Sequence, residues 1–430
     1  MAKYKVGDEL LIINDPTEEN EIYNTYKNYD FTQINKLLAN NTISNLSNFT
    51  PIGTSSDIGN ILLIGATGFL GSHILDNYLS TSSGIAYCLI RKKSLLEPEE
   101  RLKKTLNFYF GNKYDLEFGK RIIVINGDIT NPTFTLDDYN YKKLGTKVDV
   151  VINSAAIVKH YGDMKQFNDV NVLGTKYIID FCKTFNKKLY YISTLSVSGS
   201  ILSGLNNNDS SYFKETDFYI GQNLNNIYIY TKFEAEKLIY EEIQKGLSAC
   251  ILRIGNLSNR YLDGKFQINA SENAFVNRIK SILKLGVIQN KLLEHSIEFT
   301  PVDVCSDAII KIIKSNPSFT VFHLFNNNLV RLDTLLANLN SLNIYIRPVS
   351  DEEFSKTITT FLNSESLRNE ISGIITDLDK NKLLNLINTI LPASEFSQSY
   401  LKLLGFSWPK IDINYITKYI KYFKDIKYLE

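Results

Sequence analysis

The chain has 430 residues, of which 44% are hydrophobic and 22% are charged, and its formal net charge is +1. This length predicts two or three domains, and the composition is that of an ordinary globular protein. A balanced charge gives no reason to expect binding to nucleic acid or to a membrane surface.

The four cysteines are widely spaced and form no C-x-x-C pair: Cys88, Cys182, Cys250 and Cys305. This spacing predicts reduced thiols and no bound metal. No run approaches the roughly 20 apolar residues that span a bilayer, and the first residues lack the apolar stretch of a signal peptide. We therefore expect a cytoplasmic protein.

The first 58 residues are polar and rich in Asn, and we interpret them as an N-terminal linker or lead-in arm. Beyond them, short apolar runs predict strands at 60–64, 86–90, 121–125, 148–152, 189–192 and 249–253. Helices are predicted between these strands at 99–110, 166–185 and 228–244. This alternation predicts an α/β fold over 59–260, a Rossmann-type doubly wound parallel sheet with helices on both faces.

After residue 260 the pattern changes, and helices are predicted at 274–285, 306–314, 383–391 and 413–423. Residues 261–430 are therefore expected to form a smaller, mostly helical domain. We expect this domain to close over the carboxyl edge of the sheet and to bind the substrate, with some of its residues returning to the sheet.

The first predicted strand runs into a glycine-rich turn, Gly65-Ala66-Thr67-Gly68-Phe69-Leu70-Gly71, and then into a helix. In such a turn the first glycine permits the sharp bend, the second lets the backbone approach a pyrophosphate, and the third lets the helix pack on the strand. The helix N-terminus offers N–H groups to the phosphates. Every residue of the turn except Ala66 is assigned to the cofactor; a purely structural turn is the alternative.

The end of the second predicted strand indicates which dinucleotide is bound. An NAD site usually has an acid there, about 20 residues past the loop, on the ribose 2′-hydroxyl. This sequence instead has Arg91 and Lys92, with Arg101 in the following helix. A guanidinium can hold a 2′-phosphate through two hydrogen bonds, whereas an acid repels it. We therefore predict NADPH as the cofactor, with a solvated basic turn as the alternative.

Further cofactor contacts are predicted where later strands end. Asp128 either accepts a hydrogen bond from the adenine amino group or caps the next turn. Asn171, in the long helix, bonds either the backbone or a proton-relay water. Small side chains after the fourth strand leave room for the ribose. The residues assigned to the cofactor in these regions are Asp128, Ile129, Ser154, Ala155, Ala156, Asn171, Gly255 and Asn256.

Tyr228 and Lys232 have a Y-x-x-x-K spacing at the start of a predicted helix. Residues four apart lie on one helix face, so the lysine is expected to lower the pKa of the phenol and to bond the nicotinamide ribose. Such a tyrosine can exchange a proton near neutral pH. The same spacing recurs at Tyr23, Tyr109 and Tyr139, but none of these follows a suitable strand.

Thr194 follows the predicted strand 189–192, at the sheet edge where open α/β sheets bind ligands. Its hydroxyl can hold the substrate oxygen and stabilise negative charge that develops there. Ser193 and Ser196 are alternatives for this role, and a turn hydroxyl without a catalytic role is another. Thr194, Tyr228 and Lys232 are thus the predicted catalytic residues.

Short motifs in a fixed order carry a family resemblance: Ile61-Leu-Leu-Ile-Gly-Ala-Thr-Gly-Phe-Leu-Gly71, Asn171-Val-Leu-Gly-Thr175, Tyr191-Ile-Ser-Thr-Leu-Ser-Val197, Tyr228-x-x-Thr-Lys-x-x-Ala-Glu236, Arg253-Ile-Gly-Asn-Leu257, Phe299-Thr-Pro-Val-Asp303 and Gly405-Phe-Ser-Trp-Pro409. The sequence resembles the extended short-chain dehydrogenase/reductase superfamily. Within it, the sequence resembles the thioester reductase (R) domain that ends many non-ribosomal peptide synthetases. Asn153-Ser154 and Asn259 depart from the family pattern, which often has His-Asn and Gly there.

The resemblance implies that Thr194, Tyr228 and Lys232 form a catalytic triad and that Arg91 and Arg101 bind the 2′-phosphate of NADPH. The implied reaction is reductive release, in which a carrier-bound aminoacyl or peptidyl thioester leaves as an aldehyde, or as an alcohol after a second hydride. The implied partner is a phosphopantetheinylated carrier (thiolation) domain that docks on the C-terminal domain, and the N-terminal arm becomes the linker from it. A monomer is also expected from the resemblance.

Other functions fit some of the same residues. One is an extended short-chain dehydrogenase that acts on a free small molecule such as a nucleotide sugar or an acyl-CoA, although Arg91 disfavours the NAD-using epimerases. Another is a non-catalytic NADP-binding module, which the presence of both Tyr228 and Lys232 disfavours. A third is a structural module whose C-terminal helices dock a partner.

Overall fold

The computed structural model describes residues 3–6, 9–12, 25–46, 57–92, 96–159, 162–200, 212–384 and 390–429. Its strands are β1 (Lys3–Val6), β2 (Glu9–Ile12), β3 (Ile61–Ile64), β4 (Ala86–Ile90), β5 (Ile122–Asn126), β6 (Val150–Asn153), β7 (Lys188–Thr194), β8 (Tyr212–Phe213), β9 (Ala249–Ile254), β10 (Leu257–Ser258), β11 (Val287–Gln289), β12 (Ser296–Ile297), β13 (Thr300–Pro301), β14 (Val321–Leu324), β15 (Val330–Arg331), β16 (Arg347–Val349) and β17 (Leu391–Pro392).

The helices are α1 (Thr32–Leu38), α2 (Ile43–Leu46), α3 (Phe69–Thr81), α4 (Pro98–Phe110), α5 (Asp138–Lys147), α6 (Met164–Phe167), α7 (Gly174–Thr184), α8 (Ile227–Ile243), α9 (Ala274–Leu285), α10 (Val302–Ser315), α11 (Leu332–Ser341), α12 (Asp351–Asn363), α13 (Glu365–Glu370), α14 (Ser372–Ile375), α15 (Glu395–Leu403) and α16 (Ile413–Asp425). A π-helical stretch, Asn168–Leu173, joins α6 to α7, so the helix predicted at 166–185 is divided.

The central sheet has seven strands in the order β14-β9-β7-β6-β3-β4-β5, and every neighbouring pair is parallel. Its middle strand β3 is buried along its whole length. Ile61 and Leu63 pack on one face with α3 and α10, and Leu62 and Ile64 pack on the other with α7 and α8. The predicted Rossmann-type doubly wound sheet is therefore confirmed.

The C-terminal part has its own apolar core, which includes Phe266, Leu285, Phe354, Ile374 and Phe423. The chain nevertheless returns to the Rossmann sheet, because β14 pairs with β9 and α10 packs against α3. The exact domain boundaries at 58 and 260 stay predictions.

The helix predicted at 383–391 is wrong where the structure describes it. Leu384 forms an isolated bridge with Leu378, and Leu391–Pro392 pairs as β17 with β8. Residues 385–389 lie outside the described part of the chain. Pro392 explains why no helix runs through Leu391, because proline lacks an N–H donor and disfavours the helical conformation at the residue before it.

Part of the predicted N-terminal arm is folded against the sheet. Tyr26, Ile34 and Leu38 are at most 3% exposed and belong to the same apolar core as α8. The Asn41 side chain donates to the Glu215 carbonyl at 3.3 Å and accepts from the Thr320 backbone N–H at 3.3 Å. Residues 25–46 are thus an integral layer of the Rossmann unit.

Strand order reverses between β3 and β6, and their carboxyl ends open the crevice in which doubly wound sheets bind ligands. Among the described residues, no helix combines the length and the apolar character that crossing a bilayer requires.

Candidate active site

The glycine-rich turn joins β3 to α3 at this crevice. Gly65 has a φ of +90°, and a Cβ on it would lie 2.7 Å from the carbonyl carbon of Ser154. A Cβ on Gly71 would lie 2.1 Å from the Gly65 carbonyl oxygen, so α3 approaches the turn this closely only with glycine. Gly68 is the exposed N-cap of α3, and no side chain caps the helix there. The turn therefore has the shape and the N–H donors that a dinucleotide pyrophosphate requires.

Two residues assigned to this turn direct their side chains into the protein. The Phe69 ring centroid lies 5.0 Å from that of Phe266 and 5.9 Å from that of Tyr109. Leu70 is only 7% exposed. Their predicted contacts with the cofactor would therefore come from backbone N–H groups.

Arg91 and Arg101 lie side by side next to the turn. Arg101 donates from Nη1 to the Arg91 carbonyl at 2.5 Å and from Nη2 to the Thr67 hydroxyl at 3.4 Å. Burial, together with the Arg91 charge, lowers the pKa of Arg101. The Lys92 side chain instead pairs with Glu97, and its Nζ lies 2.5 Å from Glu97 Oε1. The two arginines thus form a basic site that suits a phosphate.

Asp128 caps the turn that follows β5, one of its two predicted roles. Its Oδ1 accepts from the Thr130 backbone N–H at 3.0 Å and from the Thr130 hydroxyl at 2.9 Å. Its Oδ2 lies 3.5 Å from Arg91 Nη1. The neighbouring Ile129 is buried, and its Cδ1 lies 3.0 Å from where a Cβ on Gly174 would be. The adenine contact of Asp128 stays a prediction.

Asn171 ties the loop after β6 to the helix that carries Tyr228. Its Oδ1 accepts from the Ile157 N–H at 2.8 Å, and its Nδ2 donates to the Ile157 carbonyl at 3.1 Å and to the Thr231 hydroxyl at 3.0 Å. It belongs to the π-helical stretch, and such stretches are frequent at functional sites. Backbone bonding, one of its two predicted roles, is therefore present. The loop it holds, Ser154-Ala155-Ala156, lies against Gly65.

Thr194 and Tyr228 meet at the carboxyl edge of the sheet. Thr194 ends β7, is 8% exposed, and accepts from the Ser196 N–H at 3.1 Å. The side chain of Asn226 caps α8 at Tyr228. Burial raises the pKa of Tyr228 to about 12, and a hydrogen bond with Thr194 opposes part of that rise. The two hydroxyls form a pair that can hold a carbonyl oxygen.

Lys232 lies one helical turn beyond Tyr228 and is 1% exposed. Its Nζ donates to Tyr191 Oη at 2.6 Å and to the Ile192 carbonyl at 2.7 Å. Burial lowers the pKa of Lys232 to about 7, and the Glu236 charge opposes this. The expected lowering of the Tyr228 pKa is not found, because burial dominates at Tyr228 and the lysine bonds β7.

A buried ion pair supports this helix from behind. Arg253 Nη2 and Glu236 Oε2 are 2.8 Å apart, and both side chains are fully buried. Glu236 also accepts from the Ser193 hydroxyl at 2.5 Å, which turns Ser193 into the core and away from the substrate oxygen. Burial, together with the Arg253 charge, lowers the pKa of His323, whose Nε2 lies 3.1 Å from Arg253 Nη1. These contacts fix α8 on β7, β9 and β14.

Glu298, which was not predicted as a site residue, lies against the predicted cofactor residues Gly255 and Asn256. Its carboxylate accepts from the Asn256 backbone N–H at 2.9 Å and from Asn256 Nδ2 at 3.1 Å, and it also bonds the Thr300 hydroxyl. A Cβ on Gly255 would lie 2.3 Å from Glu298 Oε1. Burial raises the pKa of Glu298 to about 7. The available signal was an acid between two apolar residues, immediately before the Phe299-Thr-Pro-Val-Asp303 motif.

The structure therefore gathers the three predicted catalytic residues and most of the predicted cofactor residues along one sheet edge, from β4 to β9. Within the described residues, no group of three or more His, Cys, Asp and Glu side chains could hold a metal. A dinucleotide turn at the switch point, with Thr194, Tyr228 and Lys232 beside it, defines an NAD(P)-dependent reductase of the extended short-chain dehydrogenase class.

Residues 63–309 match the NAD-binding family described as "Male sterility protein". A thiolation-reductase di-domain from an archaeal non-ribosomal peptide synthetase has a similar structure, with a TM-score of 0.82, 33% identity, and coverage of 96% of this chain and 84% of that chain. The terminal R domain of the myxalamid pathway has a TM-score of 0.74 and 25% identity, with coverage of 87% of this chain and 93% of that one. The chain therefore belongs to this NAD-binding reductase family, as a relative of the reductase domains of non-ribosomal peptide synthetases.

A curated relative shows the same relationship at the level of sequence. A linear gramicidin synthase of Brevibacillus parabrevis is 26% identical over 309 residues, which make up 71% of this chain. The match covers only 6% of that protein's length.

Proposed function

We propose that this protein reduces a thioester carried on the phosphopantetheine of a carrier (thiolation) domain and releases the acyl chain as an aldehyde. The observation that supports this most directly is the Thr194 and Tyr228 hydroxyl pair, with Lys232 behind it, in a chain 33% identical to a thiolation-reductase di-domain. Aminoacyl and peptidyl chains are the proposed substrates, because the thiolation-reductase di-domain that this chain is similar to comes from a non-ribosomal peptide synthetase.

The residues of the site have distinct roles in this reaction. NADPH, when bound, supplies the hydride that reduces the thioester carbonyl. Thr194 and Tyr228 hold the carbonyl oxygen and stabilise its negative charge, and Tyr228 gives it a proton. The resulting thiohemiacetal loses its hydroxyl proton as the C–S bond breaks, and the departing sulfur takes a proton to become the free thiol. Lys232 would hold the ribose of the bound cofactor, and Tyr228, whose pKa burial raises to about 12, keeps the proton that it gives to the substrate oxygen.

The choice of NADPH over NADH rests on the two arginines beside the glycine turn. Arg91 and Arg101 are joined through the Arg91 carbonyl, and no acid occupies the end of β4, where an NAD-specific site has one. The carrier is proposed to dock on the C-terminal part of the chain. A monomeric state and a cytoplasmic location remain predictions.

The test is a coupled measurement with a carrier domain loaded with an aminoacyl-phosphopantetheine. We expect NADPH to be consumed in step with aldehyde, trapped as its hydrazone, while the same carrier bearing free thiol gives neither. NADH should be a far poorer donor. Consumption of NADPH with a nucleotide sugar, together with no reaction of the loaded carrier, would rule out a carrier thioester as the substrate. The protein would then be a short-chain dehydrogenase that acts on a free small molecule.

A further inference from the structure

Lys232 is held by a tyrosine outside the predicted triad. Its ammonium has three N–H donors, and among the described residues it gives one to Tyr191 Oη at 2.6 Å and one to the Ile192 carbonyl at 2.7 Å. The same Nζ lies 3.9 Å from the centroid of the Tyr191 ring. Two donors are thus fixed on β7, and one remains for a ligand.

Tyr191 is itself held in place by the surrounding structure. It is 1% exposed, and Thr175 on α7 lies near enough to its hydroxyl to affect its pKa. Thr175 Oγ1 donates to the Asn171 carbonyl at 2.7 Å, and Asn171 Nδ2 donates to Thr231 on the catalytic helix at 3.0 Å. Tyr191 is thus buried between Lys232 on α8 and the residues of α7, which restricts its movement.

Within the described part of the chain, few charged or titratable groups lie near Lys232. Tyr228 and Glu236 lie on its own helix α8, and Tyr191 faces it from β7. The charge of Glu236 is neutralised by Arg253 from β9. The side chains of Asn171 in the π-helical stretch, which bonds Thr231, and of Thr175 on α7, which lies near Tyr191, carry no charge. The ammonium therefore depends on neutral acceptors, of which Tyr191 has the shortest contact.

We propose that Tyr191 is a positioning residue of this reductase, whose hydroxyl fixes the Lys232 ammonium beside Tyr228 and stabilises its charged form. The inference deepens the proposed function and depends on it only for the assay of turnover. The proposal has a consequence for how activity depends on pH. Lys232 acts while protonated, so activity falls as the pH rises through the pKa of Lys232. Loss of an acceptor for the ammonium lowers that pKa.

The test compares Tyr191→Phe with Tyr190→Phe, the same change at the adjacent residue of β7. Tyr190 is equally buried but bonds the Ile313 carbonyl on the opposite face of the sheet, at 3.4 Å. For Tyr191→Phe we expect the alkaline limb of the kcat/KM profile to move down by about one pH unit, the size of one hydrogen bond to a charged group. The pH at which NADPH affinity falls, measured by calorimetry, should move by the same amount. Tyr190→Phe should leave both profiles in place.

The binding measurement keeps this inference separate from the proposed substrate. If the wild-type chain does not reduce a carrier thioester, the substrate is rejected, and the NADPH titrations still test Tyr191. Profiles of Tyr191→Phe that coincide with the wild type, or an equal shift in Tyr190→Phe, would overturn the role of Tyr191. If Tyr191→Phe fails to fold, Thr175→Val alters the surroundings of the Tyr191 hydroxyl with Tyr191 and Lys232 intact. It should shift the limb in the same direction by a smaller amount, and no shift would overturn the proposal.

Discussion

The Arg101 guanidinium donates a hydrogen bond to the Thr67 hydroxyl at 3.4 Å and thereby joins α4 to the glycine turn. Its other terminal nitrogen donates to the carbonyl of Arg91. One arginine thus connects the part of the site that suits the pyrophosphate with the part that suits the ribose phosphate. Because the neighbouring Arg91 charge helps to lower the pKa of Arg101, an anion bound here would relieve repulsion between them.

Arg91→Ala and Arg101→Ala should each weaken NADPH binding about 10- to 100-fold and change NADH binding far less. The reason is that a hydrogen bond to a charged group contributes about 1.5–3 kcal/mol and NADH lacks the 2′-phosphate. Calorimetric titration with both nucleotides measures the difference. Arg331→Ala is the control, because Arg331 is half-exposed and pairs with Asp333 away from the turn. Equal weakening of both nucleotides would remove the phosphate role.

Tyr228→Phe should keep NADPH binding and lower turnover about 10²- to 10⁴-fold, the usual contribution of a positioned proton donor. Tyr230→Phe, two residues further along α8, is the matched control. Tyr230 packs against the apolar core and should tolerate the change with less than a threefold loss. Single-turnover kinetics of the loaded carrier compares the two variants. Turnover of Tyr228→Phe at the wild-type rate would exclude Tyr228 from the reaction.

Local sequence pattern predicted six of the seven strands of the sheet and the residues that end them, but it did not predict β14, Val321–Leu324. Each buried strand is a short apolar run, and the parallel order places Gly65, Arg91, Asp128 and Thr194 at one edge. Pattern did not reveal Tyr191 or Glu298, because each acts through a contact with a residue about 40 positions away in the chain. By sequence pattern Tyr191 is an ordinary strand residue. Only the packing of α8 on β7 brings its hydroxyl to Lys232.

The burial of residues 25–46 was not predicted, for a related reason. The apolar residues of this segment are too sparse to predict a core of their own, and they become buried only against rings of the Rossmann unit. The ring centroids of Tyr26 and Phe233 are 5.1 Å apart, and those of Phe31 and Phe218 are 5.7 Å apart. Burial by a distant surface leaves little periodic signal in a short segment.

Glu236→Gln should destabilise the fold by about 3–5 kcal/mol, because it leaves the fully buried Arg253 without its counter-charge. Urea unfolding at neutral pH measures the loss. Glu352→Gln is the control, since Glu352 and its partner Lys356 are 78% and 74% exposed and water screens their attraction, so little stability should be lost. Similar losses in both variants would show that burial of the Glu236 pair does not matter for stability.

Glu298→Gln should change how stability depends on pH. Burial raises the pKa of Glu298 to about 7, so the folded state holds its proton more tightly than the unfolded state does. The corresponding stability is fully present below the ordinary glutamate pKa and is lost as the pH rises through about 7. The wild type should therefore lose stability relative to Glu298→Gln between pH 5 and 8, an interval that brackets most of this change.

Urea midpoints across this pH interval test the expectation for Glu298. Glu294→Gln is the control, because that side chain is 85% exposed. Glu215 is also buried with a raised pKa, but it is present in both proteins and cancels in the difference. A constant difference between wild type and Glu298→Gln across the interval would contradict the linkage.

The packing of residues 25–46 determines where a fusion of this reductase to another protein can begin. A graft that starts at the glycine turn, or at the strand before it, removes Tyr26, Phe31, Ile34 and Leu38 from the rings and helix they cover. The fusion protein would then expose an apolar patch, which lowers its expression. The resulting loss of product could be misread as failure of the reductase to accept the new substrate. A fusion that begins before residue 25 keeps residues 25–46 in place. Loss of activity in that fusion would then reflect the substrate and not misfolding.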